Sequence, residues 1–86
     1  LYLMGLAYVA LGRYDDGVES LSAAVMRGKP APEIFYNLGE AELLTGHPTE
    51  AANAARQALA LQPQHQPSRD LLDRIELAQQ PQGTVR

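Results

Sequence analysis

Apolar residues along this chain recur at three- and four-residue intervals between breaks marked by glycine and proline. That spacing is one face of an α-helix. The opening run, "LYLMGLAYVALG", is apolar on more than one face and predicts a helix over 1–12, stopped by Gly12. Asp15 and Asp16 precede Val18, Leu21, Ala24 and Val25, and predict a second helix capped by those carboxylates and ending near Gly28. Lys29-Pro30 and Pro32 mark a turn and a new start. A third helix follows from Pro32 to Thr45, with Ile34, Phe35, Leu38, Ala41 and Leu44 or Thr45 on its buried side and Gly46 as its stop. Pro48 at a first helical position opens a fourth, with Glu50 in its first turn and alanine dominating its length. Gln62 to Pro67 reads as a loop. Ser68 then reads as the N-cap of a terminal helix over 68–78, which carries Leu71, Leu72, Ile75 and Leu77. Residues 79–86 carry two helix breakers and predict a flexible tail. No strand pattern competes. Helices joined by turns this short pack antiparallel.

The breaks are themselves periodic. Gly5 and Gly39 stand 34 residues apart, as do Gly12 and Gly46. The same shift places Leu1 on Phe35, Met4 on Leu38, Leu21 on Ala55, Ala24 on Ala58 and Leu38 on Leu72. A two-helix unit on this period is a solenoid signature. Glycine inside a helix costs about 1 kcal/mol against alanine. Gly5 and Gly39 are therefore expected to serve close helix contact, with Ala24, Ala51 and Ala58 as the complementary surface. Gly12 and Gly46 are expected to end their helices.

These residues resemble the tetratricopeptide repeat family. The signature runs from a large apolar residue through Leu-Gly, Tyr, Ala and Phe to Pro. The fuller unit carries Phe35, Leu38-Gly39, Ala51, Ala55, Ala58 and Pro63; the first carries Leu1, Met4-Gly5, Tyr8, Leu21 and Ala24. The departures are Glu42 for Tyr, Ala55 for Phe, Gly17 for Ala and Lys29 for Pro. Since Glu42 stands where the first unit has Tyr8, the second unit is expected to pack its neighbour less tightly. The resemblance implies an all-α fold of antiparallel helical hairpins stacked as a short right-handed superhelix. Its domain is 1–78: a truncated repeat over 1–31, a complete repeat over 32–65 and the terminal helix. It also implies that the first helix of each hairpin lines a concave face where ligands bind. The groove residues so implied are Tyr2, Leu6 and Val9 from the first unit, and Glu33, Tyr36, Asn37, Glu40 and Leu43 from the second. Asp70, Arg74 and Leu77 join them from the terminal helix. For Tyr2, Leu6 and Val9 the alternative is packing against a preceding repeat. A family subclass grips a terminal carboxylate with basic and amide side chains. Asn37 falls on one such place, but Tyr2, Leu6, Pro67 and Leu71 occupy others, so this chain does not resemble that clamp.

Composition narrows the chemistry. Net charge is −3, and six arginines and one lysine are scattered along 86 residues. No basic stripe marks a nucleic-acid face. Without cysteine the chain has no disulfide or thiolate metal site. His47 and His65 sit at turns beside proline, far apart and without carboxylates at ligand spacing, and read as turn and capping residues. The serines lack a partner histidine, and no phosphate-binding loop is present. Asp70 and Arg74, four apart on one helix, are expected to pair. The apolar start is far short of the ~20 residues needed to span a bilayer. The chain begins in mid-pattern without an initiator Met, and reads as a fragment of a longer protein, soluble and cytoplasmic. No enzyme activity, cofactor, metal, nucleic acid or membrane insertion is expected of it. The expected function is a protein-interaction scaffold that presents its groove to a peptide or partner domain. The alternative is a structural segment attached to a functional domain, self-associating as a homo-oligomer through exposed repeat ends.

Overall fold

Two helices, one repeat apart, end in the same way. In each, a residue with positive φ follows the C-cap: Gly12 at +78° and Gly46 at +81°. The Gly12 amide donates to the Val9 carbonyl and the Arg13 amide to that of Tyr8; Gly46 donates to Leu43 and His47 to Glu42 in the same pattern. These are paired Schellman closures, which satisfy carbonyls the helix end would otherwise strand. Only glycine enters this left-handed region without a Cβ penalty. The equality of the two turns is why the hairpins repeat.

The computed structural model describes residues 1–28 and 30–79. It contains helices α1 (Tyr2–Ala10), α2 (Tyr14–Arg27), α3 (Pro32–Leu44), α4 (Pro48–Leu61) and α5 (Gln66–Gln79). The expected turn residue Lys29 lies outside the described residues, as does the expected tail apart from Gln79, which is helical.

Two of the predicted caps take other forms. Asp15 and Asp16 stand in the first turn of α2, but no side chain caps that helix. Asp16 instead accepts from Arg13, 2.7 Å from its Nη2, and the Arg13 guanidinium lies 4.8 Å above the Tyr8 ring. The carboxylates still favour the positive end of the helix dipole. α5 starts before Ser68. The His65 carbonyl accepts from the Ser68 and Arg69 amides, and Ser68 lies in the first turn with its Oγ 2.7 Å from His65 Nδ1. His65 is thus the capping residue and Ser68 its buried partner.

The helices form two layers. α1 touches α3, and α3 touches α5; α2 packs between α1 and α3, and α4 between α3 and α5, while α2 and α4 do not touch. The thinnest dimension, 17 Å, accommodates two helices at the usual ~8–10 Å spacing. Leu21, Leu38, Ala41 and Ala54 form one core cluster. Ala51, Ala52, Ala55, Leu71, Leu72 and Ile75 form the other. The alanines of α4 thus face the bulky side chains of α5. Each fully buried leucine or isoleucine contributes about 1.5–3 kcal/mol.

The internal glycines lie at helix crossings. A Cβ at Gly39 would stand 3.0 Å from Leu71 Cδ2, 3.1 Å from the Ala51 carbonyl oxygen and 3.4 Å from Ala54 Cβ. Three helices converge there, one more than the hairpin alone requires. At Gly5 the covering residue is Leu21, whose Cγ would lie 2.6 Å away, rather than Ala24. Gly17, where the family has Ala, makes room for Val9, whose γ2 methyl would meet its Cβ at 2.6 Å. Tyr2 and Val9 pack on the Leu21–Leu38 cluster, so their apolar surface is used inside these repeats.

α5 differs from α3 on its outer side. Arg69, Asp70, Asp73, Glu76 and Leu77 are exposed there, and Asp73 holds the place of Gly39. No helix closes over that face among the described residues, so no glycine is needed. α1 exposes Leu3, Met4 and Leu11, whereas the large apolar side chain exposed on α5 is Leu77.

Candidate interaction surface

The layer formed by α1, α3 and α5 carries two hydrogen-bonded sets of polar side chains, both centred on α3. Tyr36 Oη donates to Glu40 Oε2 at 2.8 Å, one helical turn along α3. Arg74 of α5 donates to the same oxygen from Nη2 at 3.1 Å. Asn37 spends one Nδ2 hydrogen on the Glu33 carbonyl at 2.8 Å and the other on Tyr2 Oη of α1 at 2.9 Å. α3 is therefore tied to both neighbours by side chains that point out of the same layer. His65 joins from the start of α5. Its ring meets Tyr36 edge-on with centroids 6.0 Å apart, and its Nε2 lies 3.8 Å from Glu33 Oε2.

Burial pushes the Tyr36 phenol above its ordinary value, and the hydrogen bond to Glu40 adds to this. The hydroxyl stays a donor, and the Glu40 carboxylate is held as an acceptor between a phenol and a guanidinium. Charge-assisted contacts of this kind fix side-chain orientation more firmly than neutral ones.

The implied groove residues divide into three groups. Tyr2, Asn37 and the Glu33 carbonyl meet in one of these sets, and Tyr36, Glu40 and Arg74 in the other. Val9 and Leu43 are half-buried and pack against the two core clusters, and Leu6 is half-buried on α1. Asp70 and Leu77 are exposed on α5. Asp70 accepts from Gln66 Nε2 at 2.8 Å, and the expected Asp70–Arg74 pair does not form because Arg74 reaches across to Glu40. His65 was absent from the expected set. Its signal was the three-residue spacing to Ser68, which places a capping side chain opposite the third helical residue.

On the other layer, each hairpin leaves an open cleft between its helices. One is lined by Leu1, Met4, Tyr8, Asp16, Glu19 and Ser20, and the second by their repeat equivalents Phe35, Leu38, Glu42, Glu50, Asn53 and Ala54. Glu42 Oε1 is buried there without a hydrogen-bond partner. Burial, and next the negative charge of Glu50, push its carboxyl up to about 7, against the opposing pull of His47. At the matching place Tyr8 holds a ring under Arg13 instead.

Among the described residues no group of three or more His, Asp or Glu could hold a metal ion, and no helix is long and apolar enough to cross a membrane. No individual curated protein matches the chain. The tetratricopeptide repeat family matches residues 2–66, which covers all of α1 to α4 and the turn into α5. With its 34-residue period, twin turns and stacked hairpins, the chain belongs to the tetratricopeptide repeat family and has its scaffold fold.

Proposed function

We propose that the α1–α3–α5 layer is a groove that binds an extended or helical peptide segment of a protein partner. The observation that carries this reading is a pair of hydrogen-bonded sets on α3, Tyr2–Asn37 towards α1 and Tyr36–Glu40–Arg74 towards α5, which hold polar and aromatic groups in place across three helices. Pre-positioned side chains lose little entropy when a ligand arrives. Glu33, Glu40 and Asp70 outnumber Arg74 on this surface. The partner is accordingly a segment with apolar anchors and one or two basic residues. We assign the repeats to 1–31 and 32–65 and treat the terminal helix as the far wall of the groove; Leu6 and Leu43 supply its apolar floor, with Val9 packed beneath them on the core.

The test is binding of a library of short peptides that combine aromatic or aliphatic residues with Lys or Arg. Tyr36→Ala and Glu40→Ala should each weaken the best binders while leaving the helical circular dichroism signal intact. Unchanged affinity in both folded variants would overturn the groove assignment.

A further inference from the structure

We propose that His65 makes the groove pH-dependent: once protonated, it takes the Glu33 carboxylate that a basic ligand residue would otherwise meet. The inference rests on the groove reading above and concerns its regulation. Two acids of α3 each face a cation source on or beside α5. Glu40 Oε2 lies 3.1 Å from Arg74 Nη2, and Glu33 Oε2 lies 3.8 Å from His65 Nε2. A guanidinium keeps its charge throughout the accessible pH range. An imidazole gains or loses its charge between about pH 5 and 8. One acid is therefore engaged permanently and the other conditionally.

The ring is placed for both states. His65 is 7% exposed, and its Nδ1 lies 2.7 Å from Ser68 Oγ. In the neutral ring with its proton on Nε2, Nδ1 accepts from the Ser68 hydroxyl. In the charged ring both nitrogens donate, and the hydroxyl turns to accept. Nε2 faces Glu33, beyond hydrogen-bond length but within ion-pair reach. The Glu33 side chain is 63% exposed, so a change of rotamer closes the remaining distance. Tyr36, edge-on to the imidazole, holds the ring from the side. Burial and the amide end of α5 disfavour a charged ring, and the Glu33 carboxylate favours it. Of the surrounding elements, α3 brings Glu33 and the Tyr36 phenol, and α5 brings Arg69 and Asp70 near its start, both exposed. The last turn of α4, 58–61, carries no titratable group. Pairing would neutralise one acid of the groove and tighten the tie between α3 and the start of α5. Basic ligands then bind less well as pH falls.

NMR titration of the His65 ring, assigned by its loss in His65→Gln, tests the pair without a ligand. Glu33→Gln should lower the midpoint by roughly half a pH unit, about a threefold loss of proton affinity. Glu50→Gln makes the same change in net charge at the start of α4 and should move the midpoint less. An unmoved midpoint in Glu33→Gln, or an equal move in Glu50→Gln, would overturn the proposal. The second arm measures binding of an end-blocked peptide that carries Arg and aromatic residues and no His, Asp or Glu. Its affinity should fall about threefold or more from about pH 8 to about pH 5.5 in the wild type. Glu42→Gln should show the same fall; this control is needed because the Glu42 carboxyl, on the other layer, is pushed up to about 7. Affinity should stay level with pH in Glu33→Gln and in His65→Gln. A fall that persists in folded Glu33→Gln would overturn the proposal, as would level affinity in the wild type. If the peptide binds at no pH, the groove reading fails by itself, and the ring titration still decides the His65–Glu33 pair.

Discussion

Arg74 on α5 and Glu40 on α3 stand 34 residues apart in sequence and 3.1 Å apart in space. The repeat period thus places a cation and an anion at related positions on adjacent first helices, where they meet. Arg74 is 58% exposed, so the pair contributes no more than about 1 kcal/mol to stability. Its larger effect is on charge: Arg74 neutralises the carboxylate that a basic ligand would seek. Arg74→Ala should change the urea midpoint little and should tighten binding of a Lys- or Arg-bearing peptide, the reverse of Glu40→Ala. Equal losses of affinity in both variants would show that Arg74 contacts the ligand itself.

Gly39 provides a packing test. The Ala51 carbonyl oxygen at 3.1 Å is backbone and cannot swing aside as a side chain can. Gly39→Leu should improve local helix propensity yet destabilise the protein by roughly 1–3 kcal/mol through overpacking. Chemical denaturation measures it. A raised melting temperature would contradict the three-helix contact.

The turns provide a conformational test with no packing component. Nothing lies within 4 Å of a Cβ at Gly12 or Gly46, yet both have positive φ. Alanine at either place should cost about 1–2 kcal/mol from backbone strain alone. Gly46→Asn should cost less, since asparagine tolerates this region. Thermal melts of the two Gly46 variants decide it, and equal losses would count against a conformational origin.

Glu42 makes stability depend on pH. Its carboxyl is raised from 4.5 to about 7, so the folded chain binds this proton more tightly than the unfolded chain. The contribution is present in full below the unfolded value and is lost as pH rises through the folded one. With solvent screening allowed for, the loss is on the order of 1 kcal/mol between about pH 4.5 and pH 7. Glu42→Gln should flatten that slope and raise the melting temperature at about pH 8 more than at about pH 5. A slope that persists in Glu42→Gln would locate the proton elsewhere.

Much of the fold was legible because repetition doubles every signal. Gly12 and Gly46 each read as a stop, and their equal spacing from Gly5 and Gly39 turned two ambiguous glycines into a period. Helix-forming patterns around Leu21, Leu38 and Leu72 placed the core. Partners across helices were less legible. Leu21 rather than Ala24 covers Gly5, because the choice depends on how far α2 slides along α1, which periodicity does not specify. Arg74 had a local partner in Asp70 at helical spacing and took Glu40 instead, since a neighbouring helix offered an acceptor already oriented by Tyr36. Ser68 read as a cap because it is the stronger capping residue; the chain began α5 earlier, at His65, where Tyr36 and Glu33 give the imidazole a place to pack. Glu42 registered only as a departure from the family pattern. Its buried oxygen follows from the depth of the cleft between α3 and α4.

Asp73 in place of Gly39 gives the stack a direction. An engineer who wished to lengthen this array could graft a hairpin ahead of α1, where Met4 and Ala7 already offer a docking surface. Appending one behind α5 would first require Arg69, Asp70 and Asp73 to be rewritten, Asp73 to glycine above all. Extension of this scaffold is therefore one-sided, and the difference rests on one helix face of a few side chains.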